Sequence, residues 1–193
     1  TLSTIRYYNK KIEDQKTFDK KLNHLKNKPP LTSDRVRIRV EANIDNSYEA
    51  KESMKVGVDG IGLLRSEYLF MNKKRMPSEN EQFLFIKKTL KYLKGKPLTI
   101  RTLDIGNDKK VPSIEKFLSK SPNPALGLRA IRLTLAFPKI FKRQISAILR
   151  ASKFGNLRIM LPMVSNVSEL VEAKKLIKDV INELKRKKIN FSR

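Results

Sequence analysis

Val58-Asp59-Gly60-Ile61-Gly62-Leu63-Leu64-Arg65-Ser66-Glu67 carries a short apolar run straight into a charged end. A run of this length, bounded by Gly57, suits a buried strand, and the pattern predicts one over Val58–Leu64. Upstream, Asn46 to Lys55 reads as a helix that Gly57 stops. Before that, after Asp34, Val36, Ile38 and Val40 alternate with arginine, the period of two expected of a first strand. Downstream, Pro77-Ser78-Glu79 opens a helix that runs to about Tyr92 and ends at Gly95. Leu98-Thr99-Ile100-Arg101-Thr102-Leu103 is the third strand. Leu126–Phe137 and Pro138–Phe154 read as consecutive helices, with Pro138 in the first turn of the second. Leu157–Met163 is the fourth strand. Asn166–Lys187 is a closing helix capped by Ser165 or Asn166. Strands alternating with helices imply an α/β class with a parallel sheet. Two architectures remain open, a TIM-type barrel and an open doubly wound sheet. Four strand-helix units are half the eight of a closed barrel.

Ahead of these units, Ile5, Tyr8 and Ile12, then Phe18, Leu22 and Leu25, recur at near-helical spacing among charged residues. The reading is one long helix over Thr4–Asn27 with a thin apolar stripe, ended by Pro29 and Pro30. The expected division is a linker helix region over 1–34 and an α/β unit over 35–193. His24, the single histidine, is expected to be solvated or to cap the helix.

The chain has 193 residues, a formal net charge of +24 and no cysteine. Lacking cysteine, it has no disulfide, thiolate metal site or cysteine nucleophile, and a reducing cytoplasm is the expected setting. No apolar run of about 18 residues indicates a membrane span. The charge favours anionic partners. The lysines are scattered through every segment, so most of the charge reads as solvated surface; Lys185-Arg186-Lys187-Lys188 is the tight run. Phosphate-loop and dinucleotide fingerprints are absent, as are a Cys/His zinc cluster and a Ser/His/Asp set. Aromatic residues do not interleave with the basic ones as a stacking platform would.

The strand ends carry the chemistry. The second strand runs into Arg65-Ser66-Glu67, and the third into Arg101-Thr102-Leu103-Asp104-Ile105-Gly106-Asn107-Asp108-Lys109. The carboxyl ends of parallel strands are where ligand sites form in α/β folds. Arg65 and Arg101 are therefore expected to converge on one small anion, since the guanidinium fork matches carboxylate or phosphate. Lys109 would add a point charge, and Asp104 would orient an arginine. The competing reading pairs these arginines with Glu67 or Asp104 as structural salt bridges. Arg129 and Arg132, three apart at a helix start, are expected to share a face. Arg143 and Arg150 read as surface or structural residues.

Gly57–Met71 resembles a signature of the phosphoenolpyruvate-utilising enzymes, nearest the enzyme I branch of the bacterial phosphotransferase system. Pro77-Ser78-Glu79, Ile100–Lys109, Asn123-Pro124, Leu126-Gly127 and Arg129–Arg132 follow at that family's distances. Gln144, Ala147–Ser152 and Leu157–Met163 complete the match. The resemblance implies the first half, four βα units, of a TIM-type (β/α)8 barrel preceded by a linker helix. It implies phosphoenolpyruvate as substrate, Mg2+ as cofactor, and phosphate transfer to a histidine on a separate domain and then to a phosphocarrier protein. That relay serves sugar uptake or a nitrogen-regulatory branch. Arg65 and Arg101 match residues that hold the substrate; Asp104, Lys109 and Arg129 match positions at or near the pocket. Asn107 stands where the family has glycine, and Ser66 where it has threonine. The family's magnesium carboxylates, its Asn-Asp pair, a further arginine and a cysteine belong to later strands. The chain is thus expected to supply part of the site, to be inactive alone, and to self-associate or pair with a complementing half-barrel. The alternative is a basic module that binds nucleic acid or another polyanion.

Overall fold

A computed structural model describes residues 1–26, 28–71, 73–106, 111–117, 123 and 127–192. Four parallel strands form one sheet in the order β1-β2-β3-β4: Glu41–Ile44, Gly60–Arg65, Leu98–Arg101 and Leu157–Met160. Helix α1 (Leu2–Asn23) precedes them. α2 (Ser47–Lys55) follows β1, α3 (Glu79–Leu93) follows β2, α4 (Ala130–Ala136) and α5 (Pro138–Ala151) follow β3, and α6 (Val167–Arg186) follows β4. Strand order therefore equals chain order. A doubly wound sheet reverses direction at a switch point; this one does not, and it has the winding of a partial α/β barrel.

The helix boundaries follow local chemistry. Asn46 accepts from the amides of Tyr48 and Glu49 to start α2, and Pro138 occupies the first turn of α5. Asn166 and Glu169 close a capping box on α6. On α3, the Ser78 hydroxyl accepts from the Glu81 amide at 3.2 Å while the Glu81 carboxylate accepts from the Ser78 amide at 2.8 Å. Gly57 sits at φ 86°, and a Cβ there would lie 2.3 Å from the Lys26 carbonyl oxygen, so this stop requires glycine.

One face of the sheet is apolar and carries the helices. Ile44, Ile61, Leu64, Leu98 and Ile100 pack in one cluster with Ile86 and Leu90 of α3, Phe141, Ile145 and Ile148 of α5, and Ala173 and Val180 of α6. Each such side chain, fully buried, contributes roughly 1.5–3 kcal/mol. The opposite face is crossed by an ion pair: Arg158 on β4 reaches Glu41 on β1 at 3.2 Å. Its path passes Gly62 of β2, where a Cβ would meet the Glu41 Cβ at 3.1 Å.

The first strand is not where the alternation of Val36, Ile38 and Val40 puts it. Those residues are about half exposed and precede β1; the one bridge there is antiparallel, Leu31 to Arg37. The alternation is real, but neither set faces the core. The strand instead uses Ala42 and Ile44, immediately before the helix cap at Asn46. The other strands start or end within a few residues of expectation. α4 is shorter than expected, beginning at Ala130; residues 124–126 lie outside the described residues. α1 has no buried residue, its whole apolar stripe is exposed, and His24 occupies its C-cap. Among the described residues no helix is long and apolar enough to cross a membrane.

Gln144 of α5, 2% exposed, ties the ends of β2 and β3 together. Its side-chain amide donates to the Ser66 hydroxyl at 3.0 Å, and its carbonyl oxygen accepts from the Leu103 amide at 2.9 Å. Gln144→Leu keeps the volume and orphans both partners. It should destabilise the chain by roughly 2–4 kcal/mol in urea unfolding. A loss within error of zero would show that the tie is dispensable. Glu81 provides a pH test. The Ser78 amide, and then Arg75, hold its carboxyl far below the ordinary 4.5. A depressed folded-state value gives stability that is present above the unfolded value and is lost as pH falls toward the folded one. Glu81→Gln should therefore lower the melting temperature at neutral pH, and the gap should narrow as pH drops below about 4.5. A gap that widens on acidification contradicts this.

Candidate functional site

Register places the two expected arginines side by side: Arg65 at the end of β2 is the parallel partner of Arg101 at the end of β3. Each is backed by a carboxylate. Arg65 Nη1 donates to Asp45 Oδ1 at 2.9 Å, and Asp45 follows the last residue of β1. The Asp45 carboxylate pushes the Arg65 guanidinium further up and also raises the nearby Tyr68 hydroxyl. Arg101 donates from Nη2 to Glu67, which is fully buried, and pairs through Nη1 with Asp104 Oδ2 at 3.2 Å. Buried carboxylates require such partners, because an uncompensated charge there costs several kcal/mol.

Asp104 is shared. Its Oδ1 accepts from Arg129 Nη2 at 2.9 Å and from Nε at 3.3 Å. Arg129 is the N-cap residue of α4, in extended backbone at φ −148° rather than in the first helical turn. The chain then passes through Ala130, buried and left-handed at φ 51°, a strained conformation for a residue with a Cβ. The turn separates Arg129 from Arg132. Arg132 pairs with Glu169 at 3.6 Å and donates to Ser165 at 3.3 Å, so the two arginines serve different neighbours instead of one face. Arg150 pairs with Glu79 at 2.5 Å, tying α5 to α3, which is a structural role.

Arg65, Arg101, Asp104 and Arg129 thus gather at the carboxyl ends of β2 and β3, while Lys109 lies outside the described residues. Three residues join them that sequence reading did not single out for the site: Asp45, Tyr68 and, as a tie beneath the loops, Gln144. The helix-capping sequence Asp45-Asn46 carried the signal for the first, since a helix beginning at Ser47 makes Asp45 a strand end.

Chemically, three guanidinium groups meet three carboxylates: Arg65, Arg101 and Arg129 against Asp45, Glu67 and Asp104. Their formal charges cancel. The carboxylates fix the planes of the forks, and each fork has five N–H donors, more than its carboxylate contacts use. Arg101 Nε has no hydrogen-bond partner among the described residues. Arg65 is the most exposed of the three, with 40% of its side chain accessible. Such an array suits a small anion with planar or tetrahedral oxygens. It does not suit a metal ion: the carboxylates are engaged by arginines, and among the described residues no three His, Asp or Glu side chains group to hold one.

A family model described as the phosphoenolpyruvate-binding domain of phosphoenolpyruvate-utilising enzymes matches residues 19–193. A phosphoenolpyruvate-protein phosphotransferase of Geobacillus stearothermophilus is 41% identical over 167 residues, covering 86% of this chain and 28% of that protein. The protein of the same description from Priestia megaterium is 37% identical over 189 residues, covering 98% and 33%. That of Bacillus subtilis (strain 168) is 42% identical over 153 residues, covering 79% and 26%. The chain thus spans a third or less of the curated relatives that it matches. With its parallel sheet in chain order and arginines at adjacent strand ends, it belongs to the phosphoenolpyruvate-utilising enzyme family, by the phosphoenolpyruvate-binding domain of that family.

Proposed function

We propose that this chain supplies the arginine-lined part of a phosphoenolpyruvate site in a phosphoenolpyruvate–protein phosphotransferase. The observation that carries the reading is the register pairing of Arg65 with Arg101, each guanidinium held by a carboxylate. Arg65 and Arg101 bind the substrate's charged oxygens, and Arg129 is held beside them through Asp104. By the family resemblance, Lys109, outside the described residues, would add a further positive charge to the same pocket. Phosphoryl transfer depends on positioning and charge stabilisation more than on covalent help from the protein, and preset forks serve both.

The remaining parts lie outside these 193 residues. His24, the single histidine, stands on the exposed end of α1, far in character from a phosphoryl acceptor held over a site. The acceptor histidine is accordingly on another domain or chain, with a phosphocarrier protein beyond it. Mg2+, which the family implies, would be bound by residues outside these 193. In this reading residues 1–34 link and residues 35–193 form half of a TIM-type barrel, in a cytoplasmic relay. The half-barrel pairs with a complementing chain or with itself, and alone it does not transfer phosphate.

The net charge of +24 favours a second reading, a module that binds nucleic acid or another polyanion. The two differ in which residues matter. In calorimetric titration with phosphoenolpyruvate, Arg65→Ala should weaken binding by roughly 10–100-fold, the value of one or two hydrogen bonds to a charged group. Unchanged affinity in that variant would remove the assignment. Steeply salt-dependent binding to RNA or DNA that is indifferent to Arg65 would favour the second reading. Phosphate transfer from phosphoenolpyruvate to a carrier protein should appear only when complementing polypeptide is added; transfer by this chain alone contradicts the division of labour.

A further inference from the structure

Among the loops that follow β2 and β3, a cleft of about 760 Å3 opens where three segments meet. They are the loop between β2 and α3, the stretch from Val111 to Phe117, and the junction of α4 with α5. Its volume is that of a small-molecule site. None of Asp45, Arg65, Glu67, Arg101, Asp104 or Arg129 lines it.

Three features of the cleft point the same way. Its floor is apolar and aromatic: the rings of Phe117 and Phe137 lie 4.8 Å apart and tilted by 59°, beside Met76 and Ile140. Tilted rings at this spacing offer a face and an edge to a third ring. Its rim is cationic. Arg75 is neutralised by Glu81 at 2.8 Å, but Lys74, Lys139 and Arg143 have no ion-pair partner among the described residues. Finally, Ser113, a residue 5% exposed, lines the cleft, and its hydroxyl, buried just beneath the surface, has no hydrogen-bond partner among the described residues. Buried hydroxyls without partners are uncommon, and a rotation about χ1 that turns this one into the cleft would let a ligand oxygen satisfy it.

We propose that this cleft is a second binding site, for a small aromatic anion: one ring bearing one acidic oxygen group. The ring packs on Phe137, Phe117 and Ile140, and the acidic group meets Lys139, Arg143 and the Ser113 hydroxyl. A bare inorganic anion leaves the aromatic floor unfilled, and a neutral aromatic leaves the rim uncompensated.

The test uses the full 193-residue chain and phenyl phosphate, with inorganic phosphate and benzyl alcohol as the two halves of the probe. In amide-detected NMR titrations, phenyl phosphate should saturate, with shifts centred on Ser113, Phe137 and Arg143. Its affinity should exceed that of either half by about tenfold or more, as expected when a charge-assisted hydrogen bond adds to ring burial. The double charge reversal Lys139→Glu with Arg143→Glu should weaken it by about tenfold and leave phosphoenolpyruvate affinity unchanged. Both side chains are exposed, so the fold should tolerate the change, and equal melting curves check that. Phenyl phosphate binding no tighter than inorganic phosphate overturns the proposal. So does an affinity that follows Arg65→Ala rather than the double reversal, which would place the probe in the phosphoenolpyruvate pocket. Because the proposal stands on residues outside that pocket, loss of phosphoenolpyruvate binding alone leaves it intact.

Discussion

Glu67 lies two residues beyond the end of β2 and is fully buried, and Arg101 meets it from the end of β3. That buried ion pair constrains everything around it. A carboxylate taken out of water must be compensated, and removing one partner of such a pair costs about 3–5 kcal/mol. The pair requires β2 and β3 to be adjacent, parallel and in the register that opposes Arg65 to Arg101. Gln144 holds the same two strand ends from below, bonding one residue beyond Arg65 and two beyond Arg101. Asp104 extends the network to Arg129 and so fixes where the chain enters α4. Fold and site are therefore one construction: the groups that would touch an anion are also the ones that lock the sheet.

This network also explains why the large positive charge of the chain says little about its site. The three arginines at the strand ends are matched by three carboxylates, so a ligand there meets oriented donors rather than excess charge. The surplus of lysine lies elsewhere. The exposed α1 is one example, with its basic last turn and wholly accessible apolar stripe. The face of the sheet opposite the helices is another place where charge is structural, since Arg158 on β4 is engaged by Glu41 on β1, across the order of four strands.

The parts legible in the sequence were those where residue type and position agree. Arg65 and Arg101 stand directly after apolar runs, and caps at Asn46, Ser78, Pro138 and Asn166 mark helix starts through local hydrogen bonds that need no tertiary context. Where two signals competed, the sequence misled. Arginine alternating with Val36, Ile38 and Val40 imitates a strand, yet both sets are exposed, and the strand is the short Glu41–Ile44 that follows. That displacement hid Asp45, whose role depends on being a strand end. The parting of Arg129 and Arg132 was illegible for another reason. It depends on a left-handed Ala130, a conformation that alanine does not advertise. The choice between a barrel and a doubly wound sheet could not come from periodicity at all. It rests on strand order, a tertiary property.

The central claim is that Arg65 and Arg101 form an anion site distinct from the general basicity of the chain. The most direct measurement follows the side-chain Nε–Hε resonances of the arginines while phosphoenolpyruvate is titrated. Arg65, Arg101 and Arg129 should shift together and saturate, while Arg37, Arg39 and Arg158, toward the amino ends of the strands, should stay in place. Shifts spread evenly over all arginines without saturation, or shifts that spare Arg65 and Arg101, would contradict the account.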